Sequence, residues 1–394
     1  MTELETRPAA LDVTCSRDIQ QVDTARWDAL LGPRGFYSAS PWLRHAQATA
    51  VTAPYYFTAS QGPELIAALP AYPLAADTPY VFCSPGRVVG AIHQQVTGQS
   101  SPWTGELMPA LACGGRNPSH TRAGVNGTVP DGLQHEALHA VVAAAEREAS
   151  STGLETVSFL YVDEDDTHLR SVLEERQYVS LPGQTAYSLK VPEDGTFTGY
   201  LAGLRSRRRT RIRKELQVLA AAGVSYRTQP ITEKLIEEVA PLEMELYAKH
   251  GTQADAQAFL TVLRSVAANT GDAARITTAH LDGKVIGFVL TFTHGGQIYA
   301  RQAGFDYEAQ GRLPVYFGLV YYELLRVALA EGISHIHYST GSDTVKLSRG
   351  CVPTRQYAYV KSRRPEQTAL LSRLAQRCTG DPADTASGSE HADR

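Results

Sequence analysis

The stretch "ARITTAHLDGKVIGFVLTFTHGGQIYARQAGF", residues 274–305, has the pattern of three β-strands joined by two very short turns. Asp282–Gly283 and Gly295–Gly296 stand at the turns, and such pairs favour tight hairpins because they tolerate positive φ. The stretch therefore predicts an antiparallel meander. A helix pattern over 314–332 and a strand pattern over 334–340 follow it, and this order predicts a crossover back to the sheet.

The whole chain has a pattern that predicts an α+β fold with two similar halves, joined near Val191–Pro192. We expect each half to be a mostly antiparallel mixed sheet flanked by helices. We predict a first domain over 11–190, a second over 191–364, and a helix or linker over 365–394 that ends in a disordered polar tail. Residues 84–130 are rich in glycine, proline, serine and asparagine, which predicts mostly loop.

Composition and charge restrict the class of protein. Hydrophobic residues make up 43% and charged residues 20% of the 394, as in globular proteins. The formal net charge of −4 does not favour a DNA-binding protein. The opening "MTELETRPAA" has no apolar signal segment, and no apolar run approaches the ~20 residues of a membrane helix. We therefore expect a cytoplasmic protein without an integral membrane segment, and the oligomeric state stays open.

The basic stretch "LRSRRRTRIRKEL", residues 204–216, holds six arginines and one lysine. At about 100° per residue, Arg205 and Arg208 fall inside the apolar stripe of one long predicted helix over 197–222, and the other basic residues fall outside it. An inward arginine needs an anionic partner. Two partners stay open, namely Glu215 of the same helix and a phosphate or carboxylate of a substrate. We expect the outer basic residues to be solvated or to contact tRNA.

Several segments resemble, in the same order, those of Fem-like tandem-GNAT (GCN5-related N-acetyltransferase) proteins, which are peptidoglycan-bridge aminoacyltransferases and their relatives. In the second half they are FTGYLAGLRSRRRTRIRKELQVLAAAGV, YAKHG, HLDGKVIGFVLTF, IYARQAGF, YYELLRVALAEGI and KLSRGCVP, and in the first half ARWDALLG, FYSASPWLRHAQ and IAALPAY. The resemblance covers roughly residues 20–362. It implies two GNAT-like lobes, a transferase site in the second, and aminoacyl-tRNA as the donor.

The resemblance also assigns Lys346, in "GSDTVKLSRG", to the neighbourhood of the tetrahedral centre. A fixed cation suits that position because acyl transfer to an amine passes through an oxyanion. The alternative is an ordinary surface lysine. Thr344 and Val345 stand where the family carries acidic and histidine residues, and Tyr316 and Gly318 stand where it often carries a His and a Glu. These departures leave the acceptor open.

The donor is the second open point. A GNAT lobe that binds acyl-CoA presents the pattern Q/R-x-x-G-x-G/A, whose backbone N–H groups hold the pyrophosphate. In the equivalent "YEAQGRLPVYF", alignment on Gly311 places Glu308 first and Leu313 last. An acidic and a bulky residue do not suit pyrophosphate, although a shifted alignment is an alternative. We expect no bound cofactor, aminoacyl-tRNA as co-substrate, and acyl-CoA as the alternative donor.

Further candidate site residues follow from their chemistry. The proton of a small-molecule amine acceptor needs a base, and Asp343, His337 and Asp306 are the candidates. The predicted substrate-binding residues are Arg205, Arg208, Arg301, Tyr316, Tyr321 and Arg349, the last of which could instead pair with Asp343. Of the adjacent Tyr321 and Tyr322, we expect only one to point inward fully.

Three other features favour structural interpretations. His335 and His337 share one strand face, but no third metal ligand is evident. The run "DEDD" (163–166) is expected to be a solvated acidic cluster at a helix start. Five scattered cysteines predict neither a disulfide framework nor a zinc site, and nothing in the sequence activates Cys351 as a nucleophile. The sequence thus predicts direct acyl transfer without a metal, with a non-catalytic binding module as the remaining alternative.

Overall fold

The computed structural model describes residues 10–103, 105–116, 119–249 and 255–379. The tail predicted to be disordered lies outside these residues from position 380 onward. None of the helices formed by the described residues has the length and apolar character needed to cross a membrane.

The strands of these residues are β1 Asp12–Ser16, β2 Tyr55–Gln61, β3 Glu64–Leu74, β4 Ala110–Cys113, β5 Gly124–Val125, β6 Thr156–Asp163, β7 Val179–Lys190, β8 Ser225–Pro230, β9 Ala274–Leu281, β10 Lys284–His294, β11 Gln297–Phe305, β12 His335–Thr340 and β13 Val352–Ser362. The α-helices are α1 Thr24–Ala29, α2 Ser40–Ala48, α3 Pro85–Thr97, α4 Asp131–Ser151, α5 Thr167–Glu175, α6 Phe197–Ala202, α7 Ser206–Ala221, α8 Glu233–Lys249, α9 Ala256–Thr270, α10 Tyr307–Gln310, α11 Val315–Phe317, α12 Leu324–Ala330, α13 Asp343–Ser348 and α14 Pro365–Thr379. A π-helix, Gly318–Glu323, joins α11 to α12.

The first of two compact units contains the described residues within the ranges 1–40, 50–184 and 355–394. Its strands follow the order β1-β2-β3-β4-β6-β13, and β4 and β6 form a parallel pair among antiparallel neighbours. Helix α4 packs on this sheet, with Ala137 and Val141 one turn apart on its buried face. One core of this unit therefore lies between α4 and the sheet, and a second core lies where α3 and α14 pack near β6 and β13.

The second unit contains residues 41–49 and 185–354. Its strands follow the order β7-β12-β11-β10-β9-β8, antiparallel except for the parallel pair β11 and β12. Helix α8 packs closely on β11, because a Cβ at Gly304 would lie 2.6 Å from backbone atoms of Leu242 and Glu243. The predicted fold class, α+β with mostly antiparallel mixed sheets, is confirmed.

The meander predicted over 274–305 is confirmed as β9, β10 and β11. The two turns use left-handed backbone, with φ of 49° at Asp282 and 80° at Gly283, and 53° and 69° at Gly295 and Gly296. These values match the residues that the turns contain, since glycine and aspartate tolerate positive φ.

Two irregularities in β11 shape the second unit. The parallel ladder joins Gln297–Tyr299 to His335–His337, and beyond it the two strands part. A β-bulge leaves Arg301 without an opposite residue, since Leu290 faces Gln302 and Thr291 faces Ala300. Parted strands and bulges create openings in a sheet and redirect side chains there.

The loop predicted over residues 84–130 is wrong in part, because this segment contains α3, β4 and β5. Pro85 begins α3 after Ser84, and Gly98, at φ 68°, ends it. A Cβ at Gly86 would meet the carbonyl oxygens of Trp103 and Glu106. The glycines that suggested a loop instead let this helix pack against neighbouring backbone.

The single long helix predicted over 197–222 is also wrong, because the structure has α6 and α7 with a break between them. Arg205 has extended backbone, with φ −63° and ψ 146°, and forms the N-cap of α7. Because of this break, side chains before it point in other directions around the helix axis than a single continuous helix would give them.

The units differ from the predicted domains in two places. Helix α2 belongs to the second unit, where the Trp42 ring lies edge-on to Phe292 with centroids 5.6 Å apart, and His45 Nδ1 lies 3.0 Å from Ser265 Oγ. Most of β13 belongs to the first unit, where it pairs with β6. The predicted boundary near Val191 lies just beyond the change of unit, which falls inside β7.

Candidate active site

A cavity of about 480 Å³ lies in the second unit where β11 and β12 part. Its wall combines α8, β11, the segment after β11 and the loop after β12, with Leu246, Ala303, Phe305, Leu313, Tyr316 and Val345 among its residues. Mainly apolar walls with a few polar groups are typical of small-molecule sites. This cavity is therefore the candidate active site.

Lys346 lies beside the cavity, next to the lining residue Val345, on the short helix α13. It is only 4% exposed, and its ammonium donates hydrogen bonds to the carbonyl oxygens of Ser339 (3.1 Å) and Thr340 (2.7 Å). The alternative of an ordinary surface lysine is wrong. An ammonium has three donors, so these two carbonyls leave a third for another acceptor.

Burial lowers the pKa of Lys346 to about 8, although Cys351 and Asp343 act in the opposite direction. The ammonium is therefore mainly charged at neutral pH and loses its proton in mildly alkaline solution. Burial raises the pKa of the Cys351 thiol to about 12. A thiol that stays protonated is a poor nucleophile, in agreement with the expectation for this cysteine.

Arg349 is 2% exposed and forms an ion pair with Glu215 of α7, with Nη2 3.1 Å from both carboxylate oxygens. The Tyr322 hydroxyl donates to the same carboxylate, and Arg211 Nε donates to it over 3.0 Å. The Arg349 guanidinium also lies 3.9 Å from the ring centroid of Phe317, a residue that lines the cavity. Arg349 is thus anchored in the structure next to the cavity wall.

The inward orientation predicted for Arg205 is wrong, because Arg205 is exposed at the N-cap of α7. Arg208 is half-buried, and burial, followed by the charges of Arg349 and Arg211, lowers its pKa. Glu215 is paired with Arg349 and Arg211. Two guanidiniums thus share one carboxylate, and the Arg208 guanidinium lies near them without an ion pair to Glu215. This excess of positive charge favours an anionic group from a substrate.

Tyr316 lines the cavity, and its hydroxyl lies 3.3 Å from that of Tyr321. The Tyr321 ring in turn packs on Tyr338, with centroids 4.8 Å apart. Tyr321 and Tyr322 are both buried, at 1% and 0% exposure, so the expectation that only one points inward fully is wrong. The π-helix explains this result, because its wider turn reduces the angle between successive side chains.

His337 lies apart from the cluster around Lys346. Its Nε2 is 2.6 Å from Gln297 Oε1, and its ring stacks on Tyr299 with centroids 4.7 Å apart. Successive side chains of a strand point to opposite faces, so His337 lies on the face of β12 opposite to Tyr338. The structure does not bring this predicted base to the cavity.

The other two predicted bases also have other surroundings. Asp343 is exposed in the first turn of α13, and burial, followed by this carboxylate, raises the pKa of Tyr187. The Tyr187 ring centroid is 5.4 Å from Lys346 Nζ, so Asp343 stays near the lysine but on the solvent side. Asp306 forms the N-cap of α10 and accepts from the Ala309 amide over 2.7 Å.

Glu243 of α8 is a candidate that the sequence analysis missed. It is 3% exposed, and its Oε1 accepts a hydrogen bond from Gln302 Nε2 over 3.2 Å. Burial raises the pKa of Glu243 to about 7, against the lowering effect of Arg301, Tyr247 and Gln302. The predicted substrate-binding residue Arg301 thus lies near a buried carboxyl. The sequence pattern that indicates Glu243 is a glutamate inside the apolar stripe of a predicted helix, one turn before Leu246.

The run "DEDD" in the first unit is not wholly solvated. Asp163 is fully buried, and its carboxylate lies 2.9 Å from His120 Nδ1, 2.7 Å from Arg122 Nη2 and 2.8 Å from Gln356 Nε2. Burial acts to raise the pKa of Asp163, but these three partners outweigh it and hold the pKa well below its usual range. Asp166 is the N-cap of α5, as the helix-start interpretation predicts.

Among the residues that the structure describes, no group of three or more His, Cys, Asp or Glu side chains is placed to hold a metal ion. The polar residues that line the cavity are Tyr307, Gln310, Tyr316 and Ser342.

Comparison with solved structures gives similar folds over most of the chain. FemX is 11% identical with a TM-score of 0.59, and the match covers 89% of this chain and 98% of FemX. A tandem GNAT protein from the clavulanic acid biosynthesis pathway is 15% identical with a TM-score of 0.52, over 90% and 99% of the two chains. A conserved protein of unknown function from Bacteroides thetaiotaomicron VPI-5482 is 13% identical with a TM-score of 0.52, over 86% and 95%. These matches confirm the GNAT-like fold.

Comparison with known sequences gives the family. No curated protein matches the chain significantly. The FemAB-like family model, described as peptidoglycan biosynthesis/recognition, matches residues 121–384. The predicted Fem-like resemblance is confirmed, and family and fold together support an acyltransferase type of function. The chain belongs to the FemAB-like family.

Proposed function

We propose that the protein transfers an aminoacyl group from aminoacyl-tRNA to an amine of a small molecule or a cell-wall precursor, forming an amide without a metal or a covalent enzyme intermediate. The amine attacks the ester carbonyl, a C–N bond forms, and the bond to the tRNA oxygen breaks. The family description supports a cell-wall precursor as one class of acceptor.

The observation that carries the proposal is the buried ammonium of Lys346 beside the cavity. Its two bonds to the carbonyls of Ser339 and Thr340 fix its position. A fixed cation in a site that excludes water stabilises the oxyanion of the tetrahedral intermediate more than it stabilises the neutral carbonyl. The burial and charge of Lys346 therefore support a role for it in stabilising this intermediate.

The loop after β11 supports aminoacyl-tRNA over acyl-CoA. The amides of Gly311, Leu313 and Val315 already donate to the carbonyls of Glu308, Gln310 and Leu313, and Pro314 has no N–H. A pyrophosphate would need such amides free. The excess positive charge around Arg208 supports an anionic group on a substrate, as tRNA carries.

The test is incubation of the protein with a panel of charged tRNAs and candidate amine acceptors, followed by measurement of deacylation and of amide product. We expect acceptor-dependent transfer that RNase abolishes. Transfer that requires acetyl-CoA and resists RNase would contradict the donor and favour the acyl-CoA alternative. Absence of transfer with every donor would favour a non-catalytic binding module.

A further inference from the structure

The second unit contains two buried carboxyl groups among its described residues, Glu215 and Glu243. Glu215 accepts from Arg349, Arg211 and Tyr322, so its charge is compensated inside the protein. The Glu243 carboxyl accepts from the neutral amide of Gln302 at Oε1 and from the neutral hydroxyl of Tyr247, so these hydrogen bonds bring it no compensating charge. Burial in such surroundings disfavours the charged form of the carboxyl.

Glu243 lies beside the candidate active site. Leu246, one turn further along α8, lines the cavity, and so does Ala303, the neighbour of the Gln302 that donates to Glu243. Gly304 brings the α8 backbone into direct contact with β11 at this point. Because adjacent strand residues point to opposite faces, Ala303 lies on the face of β11 opposite to Gln302. Leu246 is therefore the residue through which the cavity reaches the α8 side of β11, on which Glu243 lies.

We propose that Glu243 is the proton acceptor of the acyl-transfer reaction, taking one proton from the ammonium form of the acceptor amine, directly or through one water molecule. This inference rests on the proposed function. The first N–H bond of the ammonium breaks as a Glu243 O–H bond forms, and the neutral amine then attacks the carbonyl carbon. The second proton leaves the nitrogen for the departing oxygen as the C–O bond breaks, and Glu243 later releases its proton to water.

The charged and titratable groups around Glu243 fit this role. Arg301 of β11 and Tyr247 of α8 act on its carboxyl, and burial outweighs both, so that its pKa rises to about 7. Helix α9 and strand β10 also pack near α8. Their described residues contribute no charged group to the raised pKa of Glu243. A base is most efficient when its pKa lies near the working pH. The three bases predicted from the sequence have partners or positions that suit a proton acceptor less well, namely His337, Asp343 and Asp306.

The test compares two acceptors, an alkylamine that is an ammonium ion at neutral pH and hydroxylamine, which is uncharged there and needs no prior deprotonation. For wild type, kcat/KM for the alkylamine should rise with pH through about 7. Glu243→Gln should lower it by about 100-fold or more at pH 7 and move the rise to higher pH, where the alkylamine itself loses its proton, while the rate with hydroxylamine stays nearly unchanged. Glu237→Gln, at an exposed position of the same helix, is the control. An equal loss with both acceptors, or no loss with either, would overturn the proposal.

A direct titration separates this inference from the proposed function. Carbon-13 NMR of protein labelled at glutamate carboxyls, with Glu243 assigned through Glu243→Gln, needs no donor. We expect a titration midpoint near pH 7 that falls when methylammonium is added, since a nearby cation favours the carboxylate. If wild type shows this titration but transfers no aminoacyl group, the proposed transferase function is wrong. Glu243 would then remain a carboxyl group that faces an amine. A midpoint that methylammonium does not move would overturn the assignment itself.

Discussion

Replacement of Lys346 removes the buried ammonium beside the cavity. Lys346→Ala should lower the rate of acyl transfer about 100- to 1,000-fold, because loss of one oxyanion-stabilising group has this size of effect in other enzymes. Single-turnover measurement with bound donor separates this effect from donor affinity. An unchanged single-turnover rate would exclude Lys346 from the chemical step.

The pH dependence of transfer should follow the protonation of the same lysine. Because the charged form stabilises the oxyanion, the rate should fall as the pH rises through about 8, the pKa to which burial lowers Lys346. Lys346→Arg keeps its charge in this range and should lose this alkaline fall, even if its overall rate is lower. The measurement is a pH–rate profile of both proteins from pH 6 to 10, and an identical fall in the two would point to another group.

The basic helix allows a comparison of two arginines on one element. Arg208→Ala should weaken donor binding sharply, because Arg208 is half-buried in a cluster with excess positive charge. Arg213→Ala, at an exposed position, should cost little and mainly alter the salt dependence. Dissociation constants at two salt concentrations provide the readout. Small and equal effects would mean that the helix face is merely solvated.

At the residue scale, Lys346 is predictable from a resemblance to a family and not from its own chemistry. Its burial depends on carbonyls of the β12 end, which no local pattern specifies. Arg205 was misplaced because the break between α6 and α7 shifts the angular phase by an amount the sequence does not display. Glu243 was missed because its neighbours on β11 lie about 60 positions away in the chain.

The π-helix is an element in which packing leaves little room for a side chain at one position, Gly318. A Cβ on Gly318 would meet the Tyr226 hydroxyl and lie 2.6 Å from Leu219 Cδ1. Gly318→Ala should therefore lower the free energy of unfolding by about 1–3 kcal/mol, measured by urea titration. Gly132→Ala, at a helix position with open space around it, should leave stability unchanged or slightly raised. Equal stability of the two variants would mean that α7 shifts to accept the methyl group.

Elements defined by local signals were predicted well, and elements defined by distant packing were not. The meander follows from its hairpin residues, which act within a few positions of each other. Helix α3 was predicted as loop because Gly86 lowers helix propensity, and the reason for that glycine is the backbone at Trp103 and Glu106. The bulge at Arg301 and the parting of β11 from β12 likewise depend on pairing across the sheet.

At the scale of the whole molecule, buried charge in the first unit should govern stability in acid. The folded-state pKa of Asp163 lies below its ordinary value of 3.8, so its stabilising effect is present above that value and is lost as the pH falls below it. Asp163→Asn should cost about 1.5–3 kcal/mol at pH 7, because His120, Arg122 and Gln356 lose a buried charged acceptor, although Arg122 keeps its ion pair with Asp166. The variant should also lose less stability than wild type as the pH falls. Urea titrations between pH 7 and pH 3 measure both effects.

A matched variant tests whether this effect belongs to burial. Asp165 has a side chain 51% exposed and pairs with Arg34 at the surface. Asp165→Asn should change the free energy of unfolding by less than about 1 kcal/mol. This free energy should fall with decreasing pH as it does in the wild type. A similar loss in both variants would contradict a special role of the buried position.

The way in which the two units share the chain also determines when either can fold during synthesis. Residues 41–49 leave the ribosome early but belong to the unit formed by residues 185–354, so α2 must wait for its packing partners. The first unit, in turn, needs β13 to cover the edge of β6, and β13 is translated last among the strands of the described residues. Neither unit can be completed from its N-terminal segments alone, so the nascent chain presents unfinished sheet edges to chaperones until translation is nearly over.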